Sequence, residues 1–252
     1  MYMKQKKQSI SVKGYGEAKK NAVPVSGAQI EHLLKKYSME HNVSSHEIYS
    51  IMSEFVMGFE FLRQYKKAVS IYGSARLGFN SDVYKQACLL SWHLSKDGFA
   101  IITGGGPGVM EAANKGAYEA GGKSVGINIK LKHKQKVNKY VAQSREFEHF
   151  YVRKTMLSFA SKIYIFFPGG FGTLDEFFEM LTLVQTEEIP RIPIILVGKN
   201  YWNPLITWIE EYLFKKNKAI DKKDLQIYYL VDSADEAYQL IKKLIKAKKV
   251  PL

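Results

Sequence analysis

Ile163-Tyr164-Ile165-Phe166-Phe167-Pro168-Gly169-Gly170-Phe171-Gly172-Thr173-Leu174-Asp175-Glu176 passes from an unbroken apolar run into a glycine loop and then into an amphipathic helical pattern. It reads as a strand, a loop and a helix N-terminus. Glycines let the backbone approach an anion closely, and the unpaired N–H groups and positive dipole end of a helix favour negative charge there. The stretch therefore predicts a phosphate cradle with a carboxylate beside it.

The same alternation extends on both sides. Short β-rich runs at 68–72, 99–102, 124–129, 162–167, 192–197 and 226–231 are separated by helical patterns near 81–97, 107–120, 149–160, 173–186, 201–216 and 233–247. Such a rhythm predicts an α/β fold, a doubly wound parallel sheet with helices on both faces. Ligands of these sheets bind beyond the carboxyl ends of the strands.

Upstream the texture differs. Residues 1–26 are polar and lysine-rich and predict a flexible basic arm. Helical patterns at 28–37 and 45–65, the second preceded by a Ser44-Ser45-His46-Glu47 cap, predict an N-terminal helical extension over 27–66. The α/β domain is expected over 67–252. At 252 residues and 46% hydrophobic content the chain can bury a full core of this kind.

The net charge of +13, 37 basic against 24 acidic residues, is concentrated in the terminal lysines. No aromatic-and-basic or helix-turn-helix pattern accompanies them, so neither specific nucleic acid nor membrane is expected as a partner. The single cysteine, Cys88, excludes a disulfide framework, and no apolar run is long enough to span a bilayer; a soluble cytoplasmic protein is expected. The six histidines show no ligand spacing, and no metal or organic cofactor is expected.

Two further loops follow predicted strands. Gly73-Ser74-Ala75-Arg76 offers a hydroxyl and a guanidinium, both good phosphate donors. Gly104-Gly105-Gly106-Pro107-Gly108 opens the helix beginning Val109-Met110-Glu111, but its spacing does not give a dinucleotide fingerprint. Each could equally be a tight connection; three in one sheet can converge on one cleft. Gly121-Gly122-Lys123-Ser124 resembles the tail of a P-loop, yet it enters a strand and reads as a turn.

In the helix after Pro168, residues Leu174, Phe177, Phe178, Leu181 and Val184 form the expected buried stripe, with Asp175, Glu179, Thr182 and Thr186 opposite. Glu176 falls at the stripe's margin. Burial there would raise its pKa and a nearby cation would lower it, so the sequence leaves the direction open. Arg153 lies on the stripe of Phe150, Met156, Leu157 and Ala160, where a charge needs an anionic partner or must snorkel. A phosphate, substrate hydroxyls and Glu176 are the candidates.

Arg153-Lys154, followed by Pro168-Gly169-Gly170-Phe171-Gly172-Thr173-Leu174-Asp175-Glu176, resembles the signature of the Lonely Guy family of phosphoribohydrolases, long labelled lysine decarboxylases. The loops at Gly73 and Gly104 also resemble those of its larger bacterial members. The likeness runs over about 68–240. It implies a homodimeric Rossmann-like protein that hydrolyses the N-glycosidic bond of cytokinin riboside 5′-monophosphates, and often AMP, to free base and ribose 5-phosphate. By position, the resemblance makes Arg153 and Glu176 the catalytic pair and assigns the 5′-phosphate to Gly169, Gly170, Gly172 and Thr173, flanked by Pro168 and Phe171. Lys154 and Thr182 match substrate-contact positions, and Gly73, Ser74, Arg76, Gly104, Gly105, Gly106, Gly108 and Met110 complete the implied substrate-binding set. The segment 131–135 lacks the glutamate that family members often carry there. A nucleotide or phosphorylated-cofactor carrier is the alternative, since the same loops could bind without hydrolysing. No residue supports a pyridoxal-dependent lysine decarboxylase.

Overall fold

The architecture is that of a computed structural model, described over residues 27–29, 31–32, 44–130 and 137–250. The basic arm expected at 1–26, most of the first helical pattern and the segment 131–135 lie outside the described residues. The chain divides into two compact units, Met1–Ser50 and Ile51–Leu252. In the first, 27–29, 31–32 and 45–50 are helical, and Ser44 Oγ accepts the Glu47 N–H at 3.1 Å. The helix begun there, α1, runs over Ser45–Leu62.

Among the described residues of the second unit, strands β1 (Ala68–Tyr72), β2 (Ala100–Thr103), β3 (Ser124–Ile129), β4 (Gln143–Phe147), β5 (Ile163–Phe166), β6 (Ile194–Val197) and β7 (Tyr228–Val231) form one sheet. Its order is β4-β3-β2-β1-β5-β6-β7 and every pairing is parallel. Helices α2 (Asp82–Lys96), α3 (Val109–Glu119), α4 (Phe150–Phe159), α5 (Phe171–Gln185), α6 (Lys199–Trp208) and α7 (Ala234–Lys246) supply the crossovers and cover both faces.

Strand pleating builds the two cores. Along β1, Val69 and Ile71 point into a cluster with Leu90 and Leu94 of α2, Val109 and Ala113 of α3 and Ile241 of α7. Ala68 and Tyr72 point the other way, to Met156 and Leu157 of α4, Phe177 and Met180 of α5 and Trp202 of α6. Burial on both faces is why these strands read as continuous apolar runs.

Three details depart from the sequence reading. Strand β4 was not expected; it is an edge strand whose residues are exposed or half-buried except Phe147. Helix α5 starts at Phe171, not 173, so Gly172 and Thr173 belong to its first turn. The pattern at 201–216 begins at Lys199 and passes into a π-helix, Ile209–Lys216.

The strand order reverses between β1 and β5. Chain leaving β1 builds toward β4 and then returns to β1's other side, which opens a crevice beyond the carboxyl ends of these two strands.

Candidate functional site

A cleft of about 800 Å³ occupies that crevice. The loops after β1 and β5 are tied together beneath it, with the Ser74 N–H donating to Pro168 O at 3.0 Å. Gly73, Ser74 and Arg76 border the cleft on the β1 side, with Arg76 exposed. Gly169, Gly170, Phe171, Gly172 and Thr173 border it on the β5 side.

On that second side the start of α5 is built to receive an anion. Gly170 caps the helix and has no side chain to bond its first turn, which leaves N–H groups there open to an anion. Thr173, in the same turn, is buried against Gly169, where even a methyl group would collide with its hydroxyl. Gly169 O in turn accepts the Tyr201 hydroxyl at 2.7 Å, fixing the loop from outside.

Glu176 stands one turn further along α5 and is only 6% exposed. Its Oε2 has no hydrogen-bond partner among the described residues. Burial pushes its pKa up to about 7; Arg153 opposes the shift and Glu179 adds to it. The buried residues of α5 are Thr173, Glu176, Phe177, Met180 and Val184. The carboxylate therefore sits within the buried stripe, whereas simple periodicity placed it at the margin.

Arg153 faces the same space from α4. Its Nε donates to Ile127 O at 3.2 Å, and its guanidinium lies where a side chain on Gly104 would stand. Burial lowers its pKa and the field of Glu176 partly restores it. The two groups border one cleft and act on each other electrostatically without forming a direct ion pair. Tyr72, unremarked in the sequence, also borders the cleft. Its hydroxyl donates to Leu157 O at 3.2 Å, and its pKa is raised by burial and then by Glu176.

The other positions singled out in the sequence divide between the cleft and its surroundings. Gly104 and Met110 border the cleft, but Gly105, Gly106 and Gly108 do not. Gly105 packs on the Asn128 amide, and the carbonyls of Gly105 and Gly106 accept the Asn138 side chain at 3.1 and 3.0 Å. Gly108, at φ +70°, lets the N-terminus of α3 approach Ser74 and Ala75, where any side chain would meet backbone. Pro168 helps form the loop without bordering the cleft. Thr182 is exposed two turns beyond Glu176 and bonds Phe178 O. Lys154 turns to Asp175 and Glu179 of α5 at 2.6 and 3.5 Å. Phe150 borders the cleft and is exposed, not part of a buried stripe.

Among the described residues no group of three or more His, Cys, Asp or Glu is placed to hold a metal ion, and no helix is long and apolar enough to cross a membrane.

Residues 110–241, more than half of the chain, match a family model described as possible lysine decarboxylase. The probable cytokinin riboside 5′-monophosphate phosphoribohydrolase LOGL3 of Oryza sativa subsp. japonica is 28% identical over 152 residues, 59% of this chain and 71% of that protein. The cytokinin riboside 5′-monophosphate phosphoribohydrolase LOG1 of Arabidopsis thaliana is 25% identical over 183 residues, 71% of this chain and 82% of that protein. Among solved structures, the molybdenum cofactor carrier protein of Chlamydomonas reinhardtii superposes with a TM-score of 0.56 at 20% identity, covering 72% of this chain and 99% of that one, a likeness of fold.

Proposed function

The chain belongs to the Lonely Guy family, whose model is described as possible lysine decarboxylase, and on that premise we propose that it hydrolyses the N-glycosidic bond of adenine-type nucleoside 5′-monophosphates. Cytokinin riboside 5′-monophosphate and AMP are the substrates in view, and free base and ribose 5-phosphate the products. The reading is supported above all by Glu176, a buried carboxylate with one unpartnered oxygen, set one turn from an uncapped helix N-terminus and across a cleft from Arg153.

The phosphate binds the first-turn N–H groups of α5 and the Thr173 hydroxyl, which holds the sugar in register over Glu176. As the bond from C1′ to the base nitrogen breaks, its electron pair leaves with the base and positive charge grows on the sugar. The Glu176 carboxylate stabilises that charge and takes a proton from the water that attacks C1′; the base takes up a proton from solvent as it leaves, and Glu176 returns its own proton to solvent. Arg153 holds the ribose hydroxyls and keeps Glu176 available as a carboxylate. The reaction consumes water and requires no redox partner.

The homodimer implied by the family belongs to the same reading. Val56, Phe59 and Phe159 leave an apolar surface exposed on α1 and α4, suited to burial against a second copy.

The decisive experiment incubates wild type and Glu176→Gln with AMP and with isopentenyladenosine monophosphate and measures free base and ribose 5-phosphate. Release by wild type, lost in a folded variant that still binds nucleotide, is the expected result. Wild type that binds AMP and releases no base from either compound is a carrier, and undiminished turnover by Glu176→Gln removes the catalytic role assigned here.

A further inference from the structure

Glu54 is a carboxylate on α1, 8% exposed, in a part of the chain that the family model does not cover. Among the described residues its side-chain hydrogen bonds go to the start of α4. Its carboxylate accepts the Glu148 N–H at 2.6 Å and the His149 N–H at 3.2 Å, and Oε2 lies 3.1 Å from His149 Nδ1. His149 is the residue that caps α4, and its own side chain makes no capping bond to the helix. A buried carboxylate from another helix therefore bonds the N–H of the cap residue, as the glutamate of a capping box does, together with the N–H just before it, and complements the helix dipole as well.

The placement is fixed by packing. Gly58, one turn beyond Glu54, is buried so closely on Met156 of α4 that a Cβ would come within 2.5 Å of its sulfur. Helix α1 cannot slide along α4 without a clash, so Glu54 is held in register with its partners.

The bond pattern then leads to the site. The Arg153 N–H closes the first turn of α4 onto His149 O at 3.1 Å. Glu54 holds His149, and His149 holds the backbone of Arg153. We infer that Glu54 is a positioning residue for Arg153, through which the N-terminal helix sets the geometry of the cleft. It touches neither substrate nor the reacting atoms.

This inference rests on the proposed function only through the catalytic role given to Arg153, and its test does not need turnover. Arg153 opposes the burial that raises the Glu176 pKa, so a displaced guanidinium lets that pKa climb further. Removing the Glu54 carboxylate without moving Arg153 would take away a negative charge and shift Glu176 the other way. The side-chain carboxyl titration of Glu176, followed by carbon NMR in wild type, Glu54→Ala and Glu54→Gln, separates the two. Leu244→Ala, a cavity in the opposite core, controls for lost stability alone.

Glu54→Ala is expected to move the midpoint upward by about half a unit or more, with a smaller upward shift in Glu54→Gln, which keeps one acceptor oxygen, and none in Leu244→Ala. If wild type releases base, Glu54→Ala should also lower kcat about tenfold with little change in KM. An unmoved or lowered midpoint in Glu54→Ala overturns the assignment, as does an equal shift in Leu244→Ala. Should Glu54→Ala not fold, the Glu54→Gln titration decides by the same signs. Absence of base release in wild type refutes the phosphoribohydrolase reading and leaves the titration to judge Glu54.

Discussion

Lys154 of α4 reaches across to Asp175 of α5, Nζ to Oδ2 at 2.6 Å, and so joins the immediate chain neighbours of Arg153 and Glu176. The same ammonium stands 3.5 Å from Glu179 Oε2. Burial pulls the Lys154 pKa down, but the hydrogen bond to Asp175 and the field of Glu179 outweigh it, and the net shift is upward. A lysine so engaged is a strut between two helices.

Lys154→Met should therefore cost about 1 kcal/mol of stability, since Asp175 is half exposed and water screens much of the pair. It should lower kcat several-fold by loosening α4 against α5, with KM for AMP nearly unchanged. Steady-state kinetics with a parallel urea titration checks both. A KM raised tenfold or more would place the ammonium on the phosphate instead.

Glu176 makes stability depend on pH. Its folded pKa, about 7, lies above the ordinary value of 4.5, so the folded protein holds this proton more tightly than the unfolded chain does. The associated stability is complete below about pH 4.5 and is lost as pH rises through 7. Glu176→Gln escapes that loss. It should match wild type near pH 4 and exceed it at pH 8 by on the order of 3 kcal/mol at most, read as a difference in denaturation midpoint. In wild type, kcat/KM should rise with pH around 7, because the ionised carboxylate is the working form. A flat profile between pH 5.5 and 8, roughly the span over which such a group titrates, would count against that role.

Much of this was legible in the sequence, for physical reasons that also mark where the reading failed. Strands such as β1, with the single exception of Ser70, and β5 are built of apolar and aromatic residues because helices cover both faces, and glycine loops follow them where the crevice opens. Strand β4 gives no such signal, because as an edge strand it buries only Phe147. The glycines at 105 and 108 pack closely against Asn128 and the Ser74 loop and do not border the cleft, a placement that one sequence does not carry. The most instructive error concerns α5. Periodicity favours apolar residues for the buried face, yet Thr173 and Glu176 occupy it. Burying a carboxylate is costly, and the place where the pattern is broken is the place where the cleft lies.

The cradle separates steric from ligand effects among its glycines. A methyl at Gly169 would strike the Thr173 hydroxyl, so Gly169→Ala should displace Thr173, lower stability by about 2 kcal/mol and weaken phosphate binding together. Gly170 has no neighbour within 4 Å of a added methyl and no unusual φ, so Gly170→Ala should cost only about 1 kcal/mol as a poorer helix cap. If the phosphate approaches this backbone, KM for AMP in Gly170→Ala should still rise about tenfold. Unchanged KM would move the phosphate away from the first turn of α5.

Phe150 and Phe171 are 53% and 94% exposed although both border the cleft. Rings this exposed contribute little to folding, and truncating either should change stability by less than about 0.5 kcal/mol. Their apolar surface lies open at a cleft that Tyr72, Met110, Leu157 and Leu174 also line, and a planar base with an apolar substituent is the ligand that gains from covering it. Burying a prenyl group against such a ring is worth on the order of 1 kcal/mol, or about fivefold in relative kcat/KM. Phe150→Ala and Phe171→Ala, assayed with AMP and isopentenyladenosine monophosphate side by side, should therefore lose more activity on the prenylated nucleotide than on AMP. Equal losses on the two would assign the rings to the adenine itself, and no loss on either would leave them outside the base site.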